Sequence, residues 1–90
     1  IIYMTLELFS EVTLTQDIDE YNLQLGDVAT LIDFVPHPQG QEDGCILEVF
    51  NAIGESIAVV TVSQSTVQPL QANQVLTTRL LSTTSKRVNY

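Results

Sequence analysis

The sequence predicts an all-β protein, a small five-stranded antiparallel barrel, and two observations lead to this fold class. First, residues 57–62 are an uninterrupted run of β-branched and apolar residues, and they follow a second, mostly apolar stretch, residues 45–50. Gly54 lies between them and predicts a tight hairpin turn, because glycine readily adopts positive φ. Second, Gly26 and Asp27 form another turn signal upstream, between two further apolar stretches.

The first two strands follow from alternation and from a proline. Residues 12–15 alternate apolar side chains with threonines, which predicts the first strand. Residues 28–35 predict the second strand, and Pro36 ends it. The apolar residues of this second strand do not alternate cleanly. We therefore expect either a bulge near Ala29 and Thr30 or burial on both faces of the strand.

Two polar segments connect these strands to their neighbours. Residues 17–22 predict a loop that Ile18 anchors to the core. Leu23 and Leu25 are expected to be buried beneath this loop. Residues 36–44 contain two prolines and two glycines, so they predict a long loop before the third strand.

The last strand and the C-terminal segment are less regular. Residues 63–66 predict a polar turn, such as a single 3₁₀ turn. Residues 67–70 predict a short strand, in which Pro69 favours an edge position.

Asn73 is a candidate N-cap for a short helix over residues 74–81, in which Leu76 and Leu80 would lie one turn apart. The alternative is an extended tail. The many threonines and serines oppose helix formation, and we expect the last nine residues to be frayed. The predicted units are a barrel over residues 6–71 and a tail over residues 72–90.

Charge is distributed unevenly along the 90 residues, whose formal net charge is −8. All eleven carboxylates lie between Glu7 and Glu55, whereas the three basic residues are Arg79, Lys86 and Arg87. An anionic body repels a phosphate backbone and an anionic membrane. We therefore expect no direct nucleic-acid or membrane binding, and a neutral or basic protein partner steered by the field. The alternative, which composition alone leaves open, is that the negative charge serves only to keep the protein in solution.

Cys45 is the single cysteine, so the chain can form no internal disulfide and no cysteine-based zinc site. A lone cysteine within a strand is typical of a small buried hydrophobe, and it suits a reducing, cytoplasmic location. No apolar run approaches the roughly 20 residues that a membrane-spanning helix needs, and no signal-peptide pattern is visible.

Two acidic clusters are candidate sites. Asp17, Asp19 and Glu20 could in principle bind Ca²⁺, but their loop lacks the turn glycine and the closing bidentate glutamate of a calcium loop. A solvated acidic turn, with aspartates accepting hydrogen bonds from backbone N–H groups, is the favoured interpretation. By the same reasoning, Asp27 is expected to bind turn amides.

His37 is the single histidine and lies between two prolines, in the same loop as Glu42 and Asp43. A catalytic histidine needs an orienting partner and a nucleophile within reach, and this loop has no serine or cysteine. The sequence therefore predicts no enzyme, no cofactor and no metal site. Acidic and aromatic loop residues can bind basic or proline-rich peptides, but this chain has no tryptophan for a proline-stacking groove, so a binding surface formed by the acidic loops is favoured over a peptide groove. The predicted partner-binding residues are Asp17, Asp19, Tyr21, His37, Glu42 and Asp43.

Several short motifs together resemble a known family. They are residues 13–18 (TLTQDI), 25–30 (LGDVAT), 48–52 (EVFNA), 54–55 (GE) and 57–62 (IAVVTV). The resemblance is to small bacterial proteins, common in cyanobacteria, that are classed as a domain of unknown function with an SH3-like barrel. It implies an SH3-like fold and a cyanobacterial source, but no catalytic residues. This sequence has Ala29 where the family usually has glycine.

Three functions of different classes follow from these observations. The preferred one is a non-enzymatic interaction module, an acidic barrel that docks a partner protein. Relatives encoded beside toxin-like proteins suggest an antitoxin or immunity role, and a subunit of a larger assembly is the other form of this function. The alternative is a KOW-like or SH3-like nucleic-acid accessory protein or a nucleic-acid mimic. The third, a small enzyme or metal sensor, requires a site that the sequence does not offer.

Overall fold

Five antiparallel strands form one sheet in the computed structural model, which describes residues 5–81. The strands are β1 (Glu11–Leu14), β2 (Val28–Val35), β3 (Gly44–Phe50), β4 (Ser56–Ser63) and β5 (Val67–Pro69). Their order across the sheet is β4-β3-β2-β1-β5. Two short 3₁₀ turns interrupt the connections, at Asp19–Tyr21 and Gln64–Thr66. The all-β class and the five antiparallel strands are confirmed.

The hydrophobic core lies on one face of the sheet and is built from alternate residues of the strands. Leu31 of β2 and Leu47 of β3 are directly paired and have no solvent exposure. Cys45 is equally inaccessible, as predicted for a small apolar side chain. The buried apolar residues are Val12, Leu14, Leu23, Ala29, Leu31, Cys45, Leu47, Val49, Val60, Val62 and Val67.

The β3–β4 hairpin matches the prediction. Gly54 has φ +86°, the left-handed backbone that its position in the turn requires. The side-chain oxygen of Asn51 accepts hydrogen bonds from the N–H groups of Ile53 (3.1 Å) and Glu55 (2.9 Å). The turn is therefore fixed by one asparagine and one glycine.

The bulge in β2 exists, but its predicted position was wrong. Ala29 and Thr30 pair regularly with β1, and the register with β3 shifts between Leu31 and Asp33. Ile32 is therefore the inserted residue. Since a bulge changes which side chains face the core, this shift explains why the apolar residues of β2 do not alternate.

Two parts of the predicted fold are not found in the described residues. The sheet is open, and not the closed barrel that was predicted, because β4 pairs only with β3 and β5 only with β1.

The predicted helix over residues 74–81 is absent, and residues 70–81 contain no regular secondary structure. Leu76 and Leu80, expected on one helix face, are 63% and 96% exposed. β-branched Val75, Thr77 and Thr78 disfavour a helix here. The predicted fraying of residues 82–90 lies outside the described residues.

Candidate protein-interaction surface

The first acidic loop, residues 15–27, is folded back on itself by main-chain contacts. Ile18 and Leu23 exchange hydrogen bonds, from the Ile18 N–H to the Leu23 carbonyl (2.9 Å) and in reverse (3.1 Å). Leu23 is 3% exposed and Ile18 packs against the core, as predicted. The prediction that Leu25 is also buried beneath the loop is wrong, since its side chain is 65% exposed.

Two carboxylates of this loop accept hydrogen bonds from its own backbone. Asp17 accepts one from the N–H of Leu25 and Asp27 one from the N–H of Gln24, both at 2.8 Å. The prediction that these aspartates bind turn amides is confirmed. Part of the acidic character of the loop therefore stabilises the loop itself.

Arg79 forms an ion pair with Asp27, a contact that was not predicted from the sequence. Its Nε donates to Asp27 Oδ1 (2.9 Å), its Nη2 donates to Asp27 Oδ2, and Nη2 also donates to the Asn22 carbonyl oxygen (3.1 Å). The side chains of Arg79 and Asp27 are 29% and 20% exposed. This bidentate contact, together with the bond to the Asn22 carbonyl, holds the C-terminal segment around Arg79 against the first acidic loop. The two residues are 52 positions apart, so no local motif signals the pair.

The ion pair shifts the pKa of both side chains in the direction that favours their charged forms. Burial acts to raise the pKa of Asp27, but hydrogen bonds from Arg79 and from the Gln24 N–H, together with the guanidinium charge, outweigh it and lower that pKa below its ordinary value of 3.8. The hydrogen bond to Asp27 raises the pKa of Arg79. Asp27 is therefore a charged structural residue at neutral pH.

Asp19 and Tyr21, the other two residues predicted here for partner binding, differ in accessibility. Asp19 is exposed, and its carboxylate has no hydrogen bond or ion pair with any residue in the described range 5–81. Tyr21 is half-buried and packs against the core. Within the described residues, Asp19 is therefore exposed and without a side-chain partner, whereas Tyr21 is partly covered by the core.

The second acidic loop, residues 36–43, is held by short local contacts. The Gly40 N–H donates to the His37 carbonyl (3.1 Å), and the Gln39 N–H donates to His37 Nδ1 (3.1 Å). The His37 ring therefore acts as a hydrogen-bond acceptor within its own turn. Glu42 accepts a hydrogen bond from the Ser65 N–H, while the exposed Asp43 carboxylate makes no such contact with the part of the chain that is described.

His37 and Glu42 line one shallow groove of about 240 Å³. Its walls come from the end of β2, the second acidic loop, and the ends of β3 and β4. The lining residues are Val35, Pro36, His37, Pro38, Glu42, Gly44, Thr61, Val62 and Ser63. The groove combines two proline rings, one imidazole and one carboxylate, a set that suits an extended peptide or a basic side chain.

The two acidic loops meet at the 3₁₀ turn Gln64–Thr66. On one side, the N–H of Thr15, the first residue of the first acidic loop, donates to the Thr66 carbonyl (2.8 Å). On the other, Ser65 donates to Glu42, and the Gln64 N–H donates to the Asp43 carbonyl (3.0 Å). The predicted site residues thus fall into two groups, on two loops that are hydrogen-bonded to the same turn.

Carboxylates dominate the described surface. Arg79 is the single lysine or arginine within residues 5–81, and it is paired with Asp27. The other ten of the eleven carboxylates have no such ion pair within that range. The same residues contain no cluster of three or more His, Cys, Asp or Glu side chains that could hold a metal ion.

The comparisons with known proteins give a family but no function. A family described as "Domain of unknown function (DUF4926)" matches residues 8–69. The match covers most of the chain, so the protein belongs to this family. No curated protein and no solved structure matches the chain. Within residues 5–81, no helix is long and apolar enough to cross a membrane.

Proposed function

We propose that this protein is a non-enzymatic interaction module that docks a neutral or basic partner protein through its two acidic loops. The observation that carries the proposal is the ten carboxylates without a lysine or arginine partner among the described residues. Like charges on a small domain repel one another and weaken the compact state. A partner that supplies positive charge would relieve this repulsion.

The free carboxylates Asp19 and Asp43 support the proposal most directly. Each lies on one acidic loop and is exposed, and neither is engaged by a described residue. Asp17, Asp27 and Glu42 accept hydrogen bonds from the backbone and keep the loops in place. The carboxylates that bind the backbone fix the conformation of the loops, and the exposed carboxylates project negative charge from them. Negative charge held in a fixed position can steer the association of a positively charged partner.

The proposal extends to the architecture, the biological role, the source and the location of the protein. The five short antiparallel strands and the 3₁₀ turn before β5 support an SH3-like architecture. An antitoxin or immunity role, or a place in a larger assembly, rests on the resemblance described above, as does a cyanobacterial source. The lone buried Cys45 is compatible with a cytoplasmic location.

Charge reversal tests the proposal. The tagged protein is used to isolate co-purifying proteins, and binding is then measured with Asp17→Lys, Asp19→Lys, Glu42→Lys and Asp43→Lys, singly and combined. We expect slower association for each reversal and the largest effect for the combination. Glu7→Lys, outside both loops, is the matched control. Because Asp17 and Glu42 also hold backbone groups, circular dichroism must confirm that each variant is folded.

Two outcomes would contradict the proposal. One is partner binding that is indifferent both to salt and to the four reversals. The other is a shift of nucleic acid in a gel at low salt, which would favour the accessory-module alternative. Displacement of a basic partner by DNA would indicate instead that the acidic surface mimics nucleic acid.

A further inference from the structure

Strand β4 forms one edge of the sheet, and its outer side is unpaired within the described residues. Its backbone pairs with β3, and the Ser63 carbonyl also accepts a hydrogen bond from the Thr66 hydroxyl (2.7 Å). No other hydrogen bond described for residues 5–81 involves the backbone of β4. An edge strand of this kind presents N–H and C=O groups to any extended segment that can pair with it.

The opposite edge of the sheet is protected, but β4 is not. β5 has three residues and ends at Pro69, which has no N–H to donate. β4 has eight residues and contains no charged residue, proline or glycine. Its register with β3 shifts only near the hairpin turn and is regular from Ala58 to Ser63. From Ala58 to Ser63, β4 therefore has no bulge, charge or proline, and no described residue covers its outer side, so the features that usually prevent pairing with another chain are limited to the irregularity at the hairpin end.

Apolar side chains next to this edge are exposed. Val59 is 59% exposed and Ile57 42%, whereas Val60 and Val62 are buried in the core. On the adjacent strand, Phe50 is 42% exposed. A pairing strand with β-branched residues would cover Val59 and Ile57 through cross-strand contacts.

Carboxylates lie at both ends of this uncharged strand. Glu55 immediately precedes Ser56 at the hairpin end. At the other end, Glu42 lines the groove formed with Thr61, Val62 and Ser63. Charge complementarity thus favours a segment with a neutral, β-branched centre and basic residues at both ends, and it disfavours a second copy of this anionic chain.

We propose that the free edge of β4 accepts an extended segment of the partner protein as a sixth strand, with Lys or Arg side chains of that segment next to Glu55 and Glu42. This inference rests on the proposed function and adds to it the binding mode and the class of ligand. Main-chain hydrogen bonds to β4 supply the affinity, and the flanking charges select the partner and its register.

A defined peptide tests the proposal. The probe is Lys-Lys-Val-Thr-Val-Thr-Val-Lys-Lys with blocked ends, added to the isotopically labelled protein and followed by NMR and amide hydrogen exchange. We expect the amides of β4 to shift and to become protected. Two peptides N-methylated at alternate central residues locate the hydrogen bonds. Methylation of the set that faces β4 should weaken binding about tenfold or more, and methylation of the other set only slightly.

Charge variants provide the second arm. The combination Glu42→Gln with Glu55→Gln should weaken binding of the probe severalfold, while Glu7→Gln with Glu11→Gln, which changes the charge equally, should not. Glutamine keeps an acceptor oxygen, so Glu55 can still bind Asn51 Nδ2, a contact of 2.8 Å. A peptide with glutamates in place of the lysines should bind far more weakly.

Several results would overturn strand addition. Equal tolerance of both N-methylated sets excludes it, as does absence of binding at about 1 mM probe. Shifts confined to the two acidic loops would also exclude it and would leave the proposed function standing. Protection of β4 amides that grows with protein concentration, without peptide, would mean that a second copy covers the edge. A basic partner that binds through β4 but ignores the reversals at Asp17, Asp19 and Asp43, none of which lies beside β4 in this proposal, would contradict the proposed function alone.

Discussion

The first acidic loop carries four carboxylates and the second carries two, and the loops are held against the sheet by different contacts. The first contributes Leu23 to the core, forms the Ile18–Leu23 bridge, and is joined to the C-terminal segment by the Asp27–Arg79 ion pair. The second contributes no side chain to the described core and is attached through Glu42 and the Asp43 carbonyl.

This difference shows that a cluster of acidic residues can contain two kinds of carboxylate. Asp17, Asp27 and Glu42 accept hydrogen bonds from backbone N–H groups and stabilise the fold. The Asp19 and Asp43 carboxylates are exposed and accept no hydrogen bond from a described residue, and our proposal assigns them to partner binding. Substitutions in the first group should lower stability, and those in the second should change association with little effect on folding.

The largest effect is expected at Leu23. Leu23→Ala removes a 97%-buried side chain that anchors the first acidic loop, and we expect the free energy of unfolding to fall by about 3 kcal/mol. Leu25→Ala is a matched control two residues away, where the side chain is 65% exposed, and should cost less than about 0.5 kcal/mol. Urea denaturation measures both. Similar losses for the two variants would mean that the loop is not anchored by Leu23.

The ion pair between Asp27 and Arg79 gives the next effect. Asp27→Ala removes the acceptor for Arg79 and for the Gln24 N–H, and we expect a loss of about 2 kcal/mol; Arg79→Ala should cost about 1 kcal/mol. The double variant should lose less than the sum of the two single losses, because the residues are coupled. Asp19→Ala serves as the control and should change stability little. Additive losses would contradict a direct contact.

The same pair predicts a dependence on pH. Since the pKa of Asp27 is lowered on folding, its contribution to stability is full above the ordinary value of 3.8 and is lost as pH falls through the folded pKa. The difference in unfolding free energy between the native chain and Asp27→Asn should therefore be constant from pH 7 to about pH 5 and shrink below about pH 4. A difference that grows on acidification would contradict this assignment.

A smaller effect is expected in the second acidic loop. Glu42→Ala removes the acceptor for the Ser65 N–H, and we expect a loss of about 1 kcal/mol. Asp43→Ala is the adjacent control and should be close to neutral, because its contact with Gln64 uses the backbone carbonyl. Denaturation curves of the two variants that coincide would show that Glu42 has no supporting role.

The parts of this structure that depend on local chemistry were predictable. Gly54, Gly26 and the alternation in β1 gave the turns and strands, because backbone preference and the two-residue period act over a few residues. The bulge was expected near Ala29 and Thr30, too early in the strand, since the position of a bulge depends on pairing with β3. Arg79 was not assigned to the surface at all, because its partner is distant in sequence and the helix expected around it does not form.

The six predicted partner-binding residues show the same limit. The sequence identified two acidic loops, but it could not tell which carboxylates bind the backbone and which remain available. That distinction depends on where the turn Gln64–Thr66 brings the loops together. It also depends on packing, which places Tyr21 against the core rather than fully in solvent.

The central claim is that the available carboxylates of the two acidic loops steer a basic partner. The most direct measurement is the association rate constant with the co-purified partner at low and high salt. It is made for Asp19→Asn with Asp43→Asn, and for Glu7→Gln with Glu11→Gln as the control of equal charge. We expect the first pair to slow association severalfold at low salt and the difference to disappear at high salt, where screening is strong. Equal rates for the two double variants at low salt would contradict the claim.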